Sequence, residues 1–171
     1  AKHMISSYWA WWAYITPKER FKREAGILKA LFTLGLSPDL IYFNEKFFIE
    51  EYVLGEKLSE IIAAGLPKGI ASINDTLCAI VKMHSQHITH GDLNPDNVLV
   101  TGTGIKFIDF EYMLNPAVLT DNQMKAYDYL RFFQRLRDID RHGLLDKHRD
   151  TILNVVSQCL ENDGLAILDL K

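Results

Sequence analysis

Three residues with side chains suited to phosphoryl transfer stand close together in the sequence: Asp92, Asn97 and Asp109. In this chemistry one carboxylate accepts the proton of an attacking hydroxyl, while a carboxamide and a second carboxylate hold Mg²⁺ against the nucleotide phosphates. A turn or a helix cap would explain any one of the three residues alone. All three at these spacings predict a catalytic loop followed by a metal ligand.

The chain between Asn97 and Asp109 predicts the element that positions them. Two apolar stretches, residues 98–100 and 105–108, indicate short strands, and the glycine-containing TGTG between them indicates a turn. Because the strands of a tight hairpin are antiparallel, we expect Asn97 and Asp109 at the same end of the ribbon, where both can reach one metal ion.

The stretch HGDLNPDNVLV, followed by IKFIDF, resembles the catalytic and metal-binding loops of the protein-kinase-like fold. The resemblance implies that Asp92 is the catalytic base and that Asn97 and Asp109 bind Mg²⁺. It further implies that His90 supports the catalytic loop and that ATP is the phosphoryl donor.

Two residues of this stretch favour the small atypical branches of that superfamily. Gly91 stands where most protein kinases carry Arg, and Asn94 stands where many carry Lys. The branches in question include lipopolysaccharide and Kdo kinases, aminoglycoside and choline phosphotransferases, RIO-type kinases and the small kinase of the tRNA threonylcarbamoyladenosine complex.

The resemblance implies an α+β fold, a minimal kinase-like fold with two lobes. The reduced N-lobe, residues 1–52, would hold a helix that starts at Thr16-Pro17 and ends at Gly35, then a hairpin around the turn at residues 44–46. The C-lobe, residues 53–171, would be mostly helical and would carry both loops.

The nucleotide site of the family also draws on the N-lobe. A lysine there holds the phosphates and pairs with a glutamate of the next helix. Lys2, twenty-two positions before Glu24, has a suitable separation if residues 1–3 are native and not left from a cloning site. Glu51 and Val53 resemble the hinge that binds the adenine edge; an edge strand running into a turn is the alternative. No Gly-rich loop stands ahead of Lys2, which departs from the family pattern.

All three tryptophans stand between Tyr8 and Tyr14, in YWAWWAY. Packing on the domain's own core is the simpler interpretation, because aromatic rings bury a large area. The alternative is a docking surface for a protein partner, for a second copy of the chain or for the headgroup zone of a membrane.

The sequence allows two interpretations of Asp128 and two of the pair Arg131 and Arg135. Asp128 resembles the buried acid that accepts hydrogen bonds from the catalytic-loop backbone; a solvated helix charge is the alternative. Arg131 and Arg135 are four residues apart and share a helix face. We expect that face to be a solvated surface, with a site for an anionic substrate as the alternative. His84 and His87 are predicted to be packing and capping residues, not metal ligands.

The composition indicates one modest domain and limits the classes of partner. A net charge of −3 over 171 residues gives no general attraction to nucleic acid or anionic membranes. No apolar run is long enough for a transmembrane segment, so we expect a cytoplasmic protein. Cys78 and Cys159 are predicted to be buried thiols.

Together these features predict ATP- and Mg²⁺-dependent phosphoryl transfer to a hydroxyl of a sugar, a lipid-linked saccharide or another small molecule. Gly91 and the short segment after Phe110 favour such a substrate over a generic protein. One alternative is a small atypical serine/threonine kinase or ATPase in a protein–tRNA-modification complex, the only interpretation that involves nucleic acid. Another is a pseudokinase or binding module that lacks the Gly-rich loop.

Overall fold

The computed structural model describes residues 12–165. Helices and two small sheets confirm the predicted α+β class. In chain order the elements are α1 (Pro17–Phe32), β1 (Leu40–Phe43), β2 (Phe48–Glu50), β3 (Glu56–Lys57), α2 (Leu58–Ala63), α3 (Gly69–His84), a 3₁₀ turn (Pro95–Asn97), β4 (Val98–Thr101), β5 (Gly104–Phe107), α4 (Asp121–Ile139), α5 (Leu144–Lys147) and α6 (Arg149–Asn162).

Helix α1 starts where the sequence predicts, because Thr16 and Glu19 form a capping box. The Glu19 N–H donates to the Thr16 hydroxyl at 3.3 Å, and the Thr16 N–H donates to the Glu19 carboxylate at 2.9 Å. After Phe32 the chain turns at Gly35, whose φ of 72° suits glycine. Phe32, at the end of the apolar pattern, is 44% exposed, whereas Leu28 is buried.

The two antiparallel sheets include both predicted hairpins. Strands β1 and β2 form the first sheet, and β3, β4 and β5 form the second in that order. Val98 pairs with Phe107, and Thr101 pairs with Gly104. One step beyond this pairing, the Ile108 N–H donates to the Asn97 carbonyl oxygen at 3.1 Å. The register therefore brings the end of the catalytic loop beside the start of the metal-binding loop.

The core lies beneath this ribbon, between the helices and the second sheet. Its fully buried side chains include Leu58, Ile73, Leu77, Ile80, Phe107, Phe110, Phe132 and Leu136. Cys159 is buried, as predicted, but Cys78 is exposed, so the prediction of two buried thiols is wrong for Cys78. Within residues 12–165 we find no helix long and apolar enough to cross a membrane.

Only part of the aromatic segment falls within residues 12–165. Trp12 forms a bridge with Leu114 and meets the Tyr127 ring edge-on at 5.8 Å, so it packs on the domain itself. Tyr14 is 94% exposed. Tyr8 and Lys2 lie outside the described residues. The division of the lobes between residues 52 and 53 stays a prediction.

Candidate active site

The catalytic loop is held by its backbone. The buried carboxylate of Asp128 accepts the N–H groups of His90, at 2.8 Å, and of Gly91, at 2.9 Å. The interpretation of Asp128 as a buried loop anchor is therefore confirmed. Gly91 has a φ of 82°, and a Cβ there would lie 2.9 Å from the carbonyl oxygen of Tyr112. Glycine at this position thus permits both the turn and the close approach of the following segment.

Asp128 belongs to a buried network that reaches the end of α6. His84 Nε2 lies 3.2 Å from Asp128 and its Nδ1 lies 2.7 Å from Asp163, while the Tyr129 hydroxyl donates to Asp163 at 2.7 Å. Burial lowers the pKa of His84, but the hydrogen bonds to the two carboxylates outweigh it, so the pKa is raised. His84 is therefore a packing residue, as predicted, that bridges two buried acids.

His90 connects the catalytic loop to the metal-binding loop. Its Nε2–H donates to the Ile108 carbonyl oxygen at 3.0 Å, and its ring stacks at a tilt on Phe110 with centroids 4.5 Å apart. Burial lowers the pKa of His90, which favours the neutral imidazole. This geometry fits the predicted role of a loop support.

Both carboxylate oxygens of Asp92 are held by side chains. Arg131 Nε donates to Oδ1 at 2.9 Å, and Asn94 Nδ2 donates to Oδ2 at 3.1 Å. The expectation of a solvated surface is therefore wrong for Arg131, whose side chain is only 29% exposed. It holds for Arg135, which faces Asp138 at 3.6 Å on the surface of α4.

The predicted metal ligands differ from Asp92 in having oxygen atoms to spare. Asn97 Nδ2 donates to the Asp92 carbonyl oxygen at 3.1 Å, and its Oδ1 has no hydrogen bond within residues 12–165. In the same part of the chain Asp109 makes neither a hydrogen bond nor an ion pair, and it has a φ of 65°. An amide oxygen and a carboxylate fit Mg²⁺, which commonly takes one or two protein oxygens together with phosphates and water.

Three charged side chains of helix α1 lie against the metal-binding loop. Arg23 donates to the Phe110 carbonyl oxygen at 2.7 Å, and Arg20 forms an ion pair with Glu111 at 3.0 Å. Glu24 is buried, and burial, followed by the charge of Asp109, raises its pKa to about 7 against an opposing backbone hydrogen bond from Phe110. Glu24 thus lies beside the loop, while its predicted partner Lys2 lies outside the described residues.

The predicted hinge borders a cavity of about 330 Å³. The Glu51 N–H donates to the Asp39 carbonyl oxygen at 2.8 Å. The backbone of Val53 makes no hydrogen bond within residues 12–165, which leaves a donor and an acceptor for a ligand. Leu99 and Ile108 line the same cavity, so apolar side chains accompany these polar groups.

The loops described above lie within a segment that matches a known family. Residues 11–137 match the model of the RIO domain. The chain belongs to the RIO domain family. The resemblance to an atypical branch of the protein-kinase-like superfamily is therefore confirmed, and the RIO domain supports the assignment to its phosphotransferases.

The chain is similar to curated proteins of two kinds. A probable bifunctional tRNA threonylcarbamoyladenosine biosynthesis protein of Methanobrevibacter smithii is 29% identical over 80% of this chain and 24% of its own length. The KEOPS complex subunit Bud32 of Pyrococcus abyssi is 29% identical over 54% of the chain and 44% of its own length. A probable serine/threonine-protein kinase PknB of Lactococcus lactis is 33% identical over 53% of the chain and 16% of its own length. The chain thus spans less than half the length of each of these relatives.

Two polar contacts of the RIO domain escape sequence reasoning. Arg131 stands three residues after Asp128, so helical spacing could have placed it on the side that faces the catalytic loop. Asp163 follows α6 and carries no local signal for its contact with His84. The catalytic and metal-binding roles of Asp92, Asn97 and Asp109 stay predictions.

Proposed function

We propose that this chain transfers the γ-phosphoryl group of ATP in a Mg²⁺-dependent reaction. The observation that carries the proposal is the pair of ligand-capable oxygens, on Asn97 and Asp109, that have no protein partner within residues 12–165 and stand at one end of a ribbon whose loop holds Asp92. An amide oxygen and an exposed carboxylate are ligands that Mg²⁺ takes in proteins.

The side chains support the following division of labour. Asp92, fixed at both oxygens, accepts the proton of the attacking hydroxyl. Asn97 and Asp109 would hold Mg²⁺, which when bound neutralises phosphate charge and orients the leaving group. Val53 and the carbonyl of Glu51 would meet the adenine edge. Lys2 and Glu24 would form the lysine–glutamate pair at the phosphates.

The names of the relatives favour the alternative, a kinase or ATPase in a protein–tRNA-modification complex, over a sugar or small molecule as the phosphoryl acceptor. A sugar or lipid-linked saccharide finds no support among the relatives, whose names describe tRNA threonylcarbamoyladenosine biosynthesis, a KEOPS subunit and serine/threonine kinases. We therefore propose a small atypical serine/threonine kinase or ATPase that works in a protein–tRNA-modification complex, in the cytoplasm. Residues 8–14, apart from Trp12, which packs on the domain itself, are the proposed contact for a protein partner.

The test is calorimetric titration with ATP, with and without Mg²⁺, together with turnover measurements in the presence and absence of tRNA. We expect Mg²⁺-dependent binding that Asp109→Ala abolishes. Asp92→Asn should keep binding but lose about 1,000-fold in turnover. Asp138→Asn, on the exposed surface of α4, is the matched control and should behave as the native chain.

Each outcome separates the alternatives. No binding at millimolar nucleotide would favour the binding module. Label transferred from ATP to saccharides but not to protein, without tRNA-stimulated hydrolysis, would restore the small-molecule kinase.

A further inference from the structure

Arg131 contacts Asp92 through only one of its N–H groups. Its Nε donates to Asp92 Oδ1 at 2.9 Å, yet its side chain remains 29% exposed. Guanidinium groups that only fix a carboxylate commonly do so with two parallel hydrogen bonds. Here one N–H is used, and the Nη1 and Nη2 donors have no partner within residues 12–165.

The position of Arg131 is set by the same helix that anchors the catalytic loop. Asp128, one turn earlier on α4, holds the backbone of His90 and Gly91, so the loop and the guanidinium rest on one rigid element. Arg131 is therefore held at the side chain of Asp92 by helix geometry and not by a mobile loop.

The chemistry proposed at Asp92 brings negative charge to this place. As the acceptor oxygen bonds to the γ-phosphorus, the bond from phosphorus to the β,γ-bridging oxygen breaks and ADP leaves with that electron pair. The hydroxyl proton passes to Asp92. An acceptor oxygen that gives its proton to Asp92 would lie within hydrogen-bond reach of it. The transferring phosphoryl oxygens would then lie next to that oxygen, in reach of a guanidinium that already contacts the same carboxylate.

We infer that Arg131 is a catalytic residue that donates its free Nη–H groups to the transferring phosphoryl group while its Nε orients Asp92. This inference rests on the proposed function. It differs from a positioning role alone because it requires contact with the reacting group. Asn94, two residues after Asp92, holds the other carboxylate oxygen but brings no charge, so Arg131 is the cation that the described residues place at Asp92.

The kinetic test compares Arg131→Ala with Arg137→Ala, a control on the exposed side of the same helix. We expect Arg131→Ala to lower kcat about 100-fold with little change in the KM for ATP, because the contact forms in the transition state. Arg131→Lys should keep the fold and recover part of kcat. Added guanidinium ion should partly restore Arg131→Ala and leave the control unchanged.

A binding test gives a second readout that needs no turnover. The native chain should bind Mg²⁺–ADP more tightly when aluminium fluoride, a mimic of the transferring phosphoryl group, is present. Arg131→Ala should keep its affinity for Mg²⁺–ADP and lose most of this tightening, while Arg137→Ala retains it.

The outcomes separate this inference from the function on which it rests. If Arg131→Ala loses kcat but keeps the fluoride-dependent tightening, Arg131 only positions Asp92 and the inference is overturned. Behaviour identical to that of Arg137→Ala overturns it as well. If the native chain shows no Mg²⁺-dependent nucleotide binding at all, the proposed function is wrong, and so is the inference that rests on it.

Discussion

The two loops of the candidate site differ in how many side chains of the protein hold their carboxylates. In the catalytic loop, Asp92 is held by Arg131 and Asn94, and the backbone is bonded to Asp128. In the metal-binding loop, Asp109 has no such partner within residues 12–165, and its charge helps to raise the pKa of its neighbour Glu24. The protein satisfies the first loop from its own side chains and leaves the second with negative charge for a cation to balance.

We expect the metal-binding loop, and not the catalytic loop, to depend on a ligand. A carboxylate fixed by two side chains keeps its orientation before any substrate arrives, which is what a general base requires. The exposed carboxylate of Asp109 lies beside the buried Glu24, and a bound metal ion would relieve the repulsion between the two charges. The two loops should therefore respond oppositely when a charge is removed.

The largest effect is expected from Asp128→Ala, which breaks the support of the catalytic loop. It leaves two buried N–H groups without an acceptor and removes one of the two acids that pair with His84, so we expect a loss of about 3–5 kcal/mol in the free energy of unfolding. Urea denaturation measures it. Asp138→Ala, an exposed acid of the same helix, should stay within about 0.5 kcal/mol of the native chain. Similar values for the two variants would mean that Asp128 does not hold the loop.

The next effect concerns the metal-binding loop and depends on pH. The pKa of Glu24 is raised from its ordinary value of 4.5 to about 7 in the folded protein. The folded protein therefore favours protonated Glu24 over the ionised form. The contribution of Glu24 to the free energy of unfolding is complete below pH 4.5, falls as the pH rises to about 7, and stays constant above that. The native chain should lose up to about 3 kcal/mol over this window.

This pH dependence can be tested by replacing a glutamate with glutamine, which removes the charge and keeps the shape of the side chain. Glu24→Gln should make the profile shallower between pH 4.5 and 7, leaving the slope due to Glu50, whose pKa burial and the charge of Asp109 also raise. Glu161→Gln, on the exposed side of α6, should leave the profile as it is. Thermal unfolding without nucleotide, measured across this range, gives the answer. An unchanged profile in Glu24→Gln would show that a cation already neutralises Glu24.

The smallest effect compares the two loops directly, without Mg²⁺ or nucleotide. Asp92→Asn should destabilise the protein by about 1 kcal/mol because Arg131 loses its charged partner. Asp109→Asn should stabilise it by about 0.5–1 kcal/mol, because the amide removes repulsion with Glu24 and asparagine tolerates the left-handed backbone. Equilibrium unfolding of both variants decides; changes of the same sign would contradict the comparison.

Features formed by residues that are close together in the chain could be predicted from the sequence. The start of α1 at Thr16-Pro17 and the hairpin between Asn97 and Asp109 depend on neighbours within a few residues, so the sequence pattern predicts both of them. The resemblance carried by residues 90–110 identified the superfamily for the same reason, since its functional groups sit at fixed spacings along a short stretch.

Only the tertiary structure decided which distant charges meet. Arg131 and Asp92 are 39 residues apart, and His84 and Asp163 are 79 residues apart. Helical periodicity gives the face on which a residue lies but not what packs against that face, so Arg131 was expected in solvent and Asp163 carried no signal. The raised pKa of Glu24 likewise arises from burial beside Asp109, 85 positions away in the chain. Such contacts depend on how the elements are assembled, because burial and proximity belong to the packed molecule and not to any segment of it.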